Sequence, residues 1–235
     1  MNVKFGVESL QGILFLSNFA YGKKIELINK LSNSLPFLFE KDPVLLPIPD
    51  DAPPDIPRIM LSNESEEYKC NISANRIDFF YEEEKEPKIF KEIFEQFYSN
   101  YKKLFTSLKS DFNPQISRIS LVSKLISFLK ESSNNLIKNT FLKEEIFMNP
   151  HNLDLIILYK DKVDTLIINR LIKIKSLRKI EDPENDKALR LEIDISTLLE
   201  ITGDYNKEEI DKIYKLIINK VDYSINQFFL KDSLK

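Results

Sequence analysis

Two long amphipathic stripes restrict this chain more than any other feature. Between Pro87 and Leu108, the apolar residues Phe90, Ile93, Phe94, Phe97, Tyr101, Leu104 and Phe105 recur at steps of three and four, with Lys, Glu and Ser between them. Between Lys207 and Leu230, Ile210, Ile213, Tyr214, Ile217, Val221, Ile225 and Phe228 do the same. Such spacing gathers apolar side chains on one side of an α-helix, and that side has to be buried against another element. Most of the remaining apolar segments lack a helical period. IMLS (59–62), YKCNIS (68–73), RIDFFYE (76–82), LDLIILYK (153–160) and ALRLEIDIS (188–196) are short and rich in β-branched and aromatic residues. The last of them alternates Leu189, Leu191, Ile193 and Ile195 with polar positions, the period of a half-buried strand. Helical stripes together with half-buried strands predict an α+β fold.

The order of elements repeats. The first half opens with strand-like runs around Gly6 and Gly12, followed by a helix over Gly22–Ser34 that places Ile25, Ile28 and Leu31 on one face. The proline-rich loop DDAPPDIP (50–57) is stiff, because each proline fixes φ and removes a donor. Three strands follow, the last two joined at Ala74-Asn75, and then comes the Phe-rich helix with Pro87 in its first turn. The second half opens with QISRISLVSKLISFLK (115–130). Its β-branched residues favour a strand, although the spacing of Ile119, Val122, Leu125 and Leu129 would equally suit a helix. A short helix over Asn134–Lys143, a hairpin turning at Lys160–Asp164, a polar loop at Glu181–Asp186, ALRLEIDIS and the closing helix complete it. Each half thus reads strand, helix, about three strands, long helix. This order predicts two similar α+β modules, residues 1–112 and 113–235, derived by internal duplication, their sheets abutting or fused.

Composition removes several function classes. The four glycines, Gly6, Gly12, Gly22 and Gly203, are scattered, whereas phosphate-cradling loops need several close together. One cysteine, Cys70, and one histidine, His151, cannot form a Cys/His zinc site or an internal disulfide. The formal charge of −3 and a pI near 5.5 do not suit a general polyanion binder. No secretory leader pattern is found, and no apolar run approaches a membrane span. The expectation is a cytoplasmic protein with no membrane contact and no cofactor.

Several of these segments together carry a resemblance. They are the Pro57-Arg58 strand opening, the hairpin strand NRIDFFYE (75–82), the Phe-rich helix, LRLEIDIS (189–196) and the terminal helix ending NQFF (226–229). They resemble a sporadically distributed family of uncharacterised bacterial and archaeal proteins of similar length, over nearly the whole chain. That family often has a Trp after the second hairpin strand, and this chain has no Trp. The resemblance implies no catalytic residues. Its patchy distribution implies an accessory gene, such as those of phage defence or toxin neutralisation.

Candidate sites are few. His151, with Asp154 three residues on, could act as a base, but a loop His between elements is more often a surface or capping residue. Cys70 lies within a strand pattern and is expected in the core. Glu192 and Asp194 share one strand face, so they could bind a divalent metal or simply form a polar face. Arg170, Lys173, Lys175, Arg178 and Lys179 are the densest basic strip and could contact nucleic acid, or guard an exposed strand against edge pairing. Tyr98 and Tyr101 on the first long helix, and Phe228 and Phe229 on the second, are surplus aromatics that suit a protein interface, or simply complete the core. Two functional expectations follow. The first is a non-enzymatic module that binds a protein partner or itself. The second is a nucleic-acid binder or metal-dependent nuclease using the basic strip with Glu192 and Asp194. The terminal helix is expected to cover the sheet face that carries Leu191, Ile193 and Ile195.

Overall fold

A computed structural model of the chain describes residues 3–19, 22–49, 51–83, 87–142, 153–163, 166–178, 187–198 and 205–229, with backbone alone at 18, 163, 166, 207 and 226–229. Ten strands and four helices alternate along it. The first half runs β1 (Gly6–Asn18), α1 (Lys24–Ser34), β2 (Val44–Leu45), β3 (Ile59–Ser62), β4 (Tyr68–Ile72), β5 (Arg76–Glu82), β6 (Lys88–Ile89) and α2 (Phe90–Asp111). The second runs β7 (Gln115–Phe128), α3 (Ser133–Phe141), β8 (Asp154–Val163), β9 (Leu166–Leu177), β10 (Ala188–Thr197) and α4 (Lys207–Phe229).

These strands make one antiparallel sheet in the order β2-β3-β4-β5-β1-β7-β10-β9-β8, with β6 adding to β1. Outward from the central β1–β7 pair, the neighbours are β5, β4, β3 on one side and β10, β9, β8 on the other. The two halves therefore build the same strand order on either side of one seam, and that seam is continuous hydrogen-bonded sheet. The boundary expected between residues 112 and 113 falls in the turn after α2. There Asn113 takes a left-handed conformation with φ of 40°, and its amide and that of Phe112 both reach the Leu108 carbonyl, closing the helix end.

All the helix-to-sheet contacts lie on one face. Tyr101 of α2 sits directly over Gly12 of β1, Ser133 of α3 meets Ser176 of β9 at 2.6 Å, and Ser224 of α4 accepts from Arg170 of β9 at 2.8 Å. Strand parity then decides which residues form the core. Leu10, Leu14, Ile72, Phe79, Leu121, Leu125, Ile172 and Ile193 are all fully buried on the helix side. Leu191, Ile193 and Ile195 join Ile210, Ile213, Tyr214, Ile217 and Val221 of α4 in one apolar cluster, as expected of the terminal helix. The two long helices meet over the seam, where the Tyr214 ring lies 4.7 Å from that of Tyr101 and 5.4 Å from that of Tyr98.

Local chemistry explains the element boundaries. Asn206 caps α4: its side-chain oxygen accepts from the Glu208 and Glu209 amides while the Glu209 carboxylate accepts from the Asn206 amide, a reciprocal capping box. Asp204, the other expected cap, lies outside the described residues. Arg58 is buried and donates to the carbonyls of Pro49, Ala52 and Ile56, gathering the proline-rich loop around one guanidinium. Two expectations need correction. α2 begins at Phe90, since Lys88 and Ile89 extend the sheet against β1, so Pro87 precedes the helix. On α1 the buried residues are Leu27, Ile28 and Leu31 while Ile25 is exposed, because the helix lies against α2 on a face one residue further round. The segment opening the second half is a strand from Gln115 to Phe128, the reading its β-branched residues favoured over a helix, held by β1 on one side and β10 on the other; no helix could supply both ladders.

Candidate interaction surface

The sheet face opposite the helices carries no helix among the described residues. At its centre, Phe15 of β1 lies in register between Arg76 of β5 and Arg118 of β7. Both guanidinium groups approach the ring, Arg118 at 4.8 Å and Arg76 at 5.8 Å from its centroid, a cation–π arrangement. Asp78 anchors one side of this group. It accepts from Arg76 Nε at 2.7 Å and from Gln11 Nε2 at 2.8 Å. On the other side, Arg118 donates to the Ser196 hydroxyl at 2.9 Å and Ser120 donates to Asp194 at 2.8 Å.

Around this centre, several charges pair across strands, three between neighbours and one, Arg190 of β10 with Glu8 of β1, over the intervening β7. Lys173 meets Glu192 at 2.6 Å, Lys175 meets Asp154 at 3.2 Å, Lys69 meets Glu82 at 2.9 Å, and Arg190 pairs with Glu8. Such cross-strand pairs favour the register that forms them. Apolar side chains stand exposed at the β8 end. Ile156 is 62% exposed and Leu158 68%, and Phe128 at the end of β7 is 71% exposed.

The residues proposed from sequence are dispersed by this geometry. Tyr101 is corrected from interface to core: it is 1% exposed because it points at Gly12, where the missing side chain leaves room for its ring. Tyr98 is half-buried at the α2–α4 seam. Phe228 and Phe229 lie outside the residues with described side chains. Arg170 leaves the basic strip, because its parity on β9 turns it to the helix side. There it is 3% exposed, donates to Asp161 and Ser224, and stacks on Tyr159. Lys173 and Lys175 do share the open face, each paired with a carboxylate, and Arg178 is exposed; Lys179 is outside the described residues. Glu192 and Asp194 also share the open face, but one is tied to Lys173 and the other to Ser120. No group of three or more His, Cys, Asp or Glu side chains able to hold a metal occurs among the described residues. Cys70 is fully buried, and burial pushes its thiol pKa far up, which suits a core residue and not a nucleophile. His151 lies outside the described residues.

The sequence pattern missed Phe15, Arg76 and Arg118, whose proximity depends on pairing three strands from both halves. The exposed apolar residues of β8 left a signal. LIIL (155–158) is apolar at both parities, as in a strand with both faces covered.

At the helix seam, Asp211 of α4 accepts from Tyr98 at 2.6 Å and pairs with Lys102 of α2. Burial works to raise the Asp211 pKa, but the Lys102 ammonium and the Tyr98 hydroxyl outweigh it and hold it below the usual carboxylate range. A lowered folded-state pKa contributes stability above the unfolded-state value, and that stability is lost as pH falls through the folded one. Asp211→Asn should therefore lower stability at neutral pH by about 0.5 kcal/mol, as befits a partly exposed pair, and should approach the native chain at acid pH, as pH falls through the folded-state pKa. Urea midpoints at the two pH values check this; an equal loss at both would remove the ion pair as its cause.

No helix among the described residues is long and apolar enough to cross a membrane. In comparisons with known proteins, no protein-family model matches the chain, and no curated protein matches it.

Proposed function

We propose that the chain is a non-catalytic protein-interaction module that presents the helix-free sheet face to a protein partner. The observation that carries this reading is the charge pairing of that face. Lys69, Arg76, Lys173, Lys175 and Arg190 each face a carboxylate on the same surface. A polyanion would have to displace those carboxylates before it could reach these five cations. A protein partner can instead use the half-buried Phe15 ring between two arginines, the half-buried polar groups of Gln11 and Arg118, and the exposed apolar residues toward β8. Aromatic and Arg side chains of this kind dominate protein interfaces. The nucleic-acid reading retains only Lys173, Lys175 and Arg178 among the described residues of its basic strip.

The matching strand order on either side of the β1–β7 seam supports derivation of the two halves from one duplicated module. Membership of the patchily distributed prokaryotic family, with an accessory role in defence or toxin neutralisation, rests on the sequence resemblance.

Affinity capture from a prokaryotic host extract, with the native chain and the open-face variant Phe15→Ala/Arg118→Ala as parallel baits, tests the reading. A protein retained by the native bait and lost with the folded variant supports it. Salt-sensitive retention of RNA or DNA by purified chain, reduced by Lys173→Ala/Lys175→Ala, would overturn it in favour of nucleic-acid binding.

A further inference from the structure

We propose that two copies of this chain pair their β8 strands antiparallel about a two-fold axis at Ile157, joining their sheets into one. β8 is the edge of the sheet: it pairs with β9 on one side and with no described strand on the other. Long, flat, apolar edges are usually protected by charge, proline or a bulge. Here the register with β9 runs without interruption from Asp154 to Val163, and Ile156 and Leu158 are 62% and 68% exposed.

The free hydrogen-bonding groups are fixed by parity. The Ser176 amide donates to the Leu153 carbonyl, so odd-numbered β8 residues direct their backbone groups to β9. The amides and carbonyls of Asp154, Ile156, Leu158 and Lys160 then point out of the sheet edge. A second copy has to meet even residues with even residues.

The strand's sequence selects the register and the occupant. From Asp154 to Lys160 it reads Asp-Leu-Ile-Ile-Leu-Tyr-Lys. Paired about Ile157, Asp154 meets Lys160 of the second copy and Ile156 meets Leu158, each twice by symmetry, all on the open face. On the helix side, Leu155 meets Tyr159 and Ile157 meets itself; Leu155 and Tyr159 are only partly buried against the core in one copy. Every opposite pair from Asp154 to Lys160 is thus either of opposite charge or apolar on apolar, the combinations that stabilise cross-strand neighbours, and the first apolar-charge pair, Leu153 with Asp161, falls beyond this segment. Shifting the register by two residues sets Asp154 against Lys162 but leaves Ile156 against Lys160 and Leu155 against Asp161, burying apolar groups beside charges. The strand is complementary to itself, as a two-fold interface requires.

Light scattering on the purified full-length chain should give the mass of two chains rather than 27.6 kDa. Ile156→Glu and Leu158→Pro should each give a single chain with an unchanged far-UV circular dichroism spectrum. The proline removes only an outward-pointing donor, which an edge strand tolerates. Cross-linking reads the register directly, since Cys70 is fully buried and does not compete. Ile157→Cys should form a disulfide-linked dimer with copper-phenanthroline and dissolved oxygen as oxidant, whereas Leu158→Cys should not. A native chain that stays single at all concentrations overturns the proposal, as does cross-linking through Leu158→Cys and not Ile157→Cys. Phe15 and Arg118 lie at the sheet centre and β8 at its edge, so the Phe15→Ala/Arg118→Ala chain should keep the mass of two chains, which separates loss of partner capture from loss of self-pairing.

Discussion

Gly12→Val should destabilise the fold by about 3 kcal/mol or more. Gly12 lies on the helix side of β1, between Phe79 of β5 and Leu121 of β7. A Cβ there would stand 2.6 Å from Tyr101 Cε2 and 3.4 Å from Phe97 Cζ. A bare Cβ contact below about 3 Å forces something to move, and neither ring has room. Tyr101 and Phe97 are 1% and 0% exposed, and both pack on Phe79, with ring centroids 6.2 Å and 5.3 Å away. Interiors are close-packed, so the strain spreads to the seam where Tyr101 meets Tyr214. Glycine within a strand marks such a close approach. Urea denaturation gives the size of the loss. A double-mutant cycle identifies its source: Tyr101→Leu should cost clearly less in the Gly12→Val background than in the native chain, because the smaller side chain relieves the clash it would otherwise only unpack. Additive losses, or a stable Gly12→Val variant, would rule out ring-on-glycine packing as the reason for a glycine here.

The same contact shows where the sequence was legible and where it was not. Helical period placed Tyr101 correctly on α2, yet its assignment to the surface failed because the space it fills is created by a residue far away in sequence. Arg170 failed for a related reason. Alternation along β9 puts it on the side of Ile168, Ile172 and Ile174, but an arginine among isoleucines looks like a member of a basic strip until Asp161, Tyr159 and Ser224 are seen to surround it. Strands whose alternation was clean, such as β4 and β10, had their buried apolar residues fixed by local pattern alone. β7 was ambiguous because one face carries Ser123 and Ser127 while the other carries Val122 and Ile126, so neither period dominates; its neighbours decide. The open-face group of Phe15, Arg76 and Arg118 could not be read at all, since it exists only once β1 lies between strands of both halves.

Removing α4 by truncation after Asp204 should leave a chain that does not fold. Ile210, Ile213, Tyr214, Ile217 and Val221 are each at most 2% exposed. Burying each such side chain contributes roughly 1.5–3 kcal/mol, so together they supply on the order of 10 kcal/mol, comparable to the whole stability of an ordinary domain. The loss would not stay within the second half. Tyr214 is packed against Tyr98 and Tyr101 of α2, and Asp211 is bonded to Tyr98 and Lys102, so truncation also uncovers the first half's long helix. On β9, Arg170 would lose its bond to Ser224 and Asp161 its contact with Lys220, leaving the Arg170–Asp161 pair on a newly exposed apolar face. The expected product is insoluble or, if solubilised, lacks a cooperative urea transition. Full-length Tyr214→Ala serves as the graded version, with an expected loss of about 3–5 kcal/mol. A truncated chain that stays soluble and unfolds in one sharp transition would show that the sheet is stabilised without α4, and would make this helix an appendage free to bind a partner.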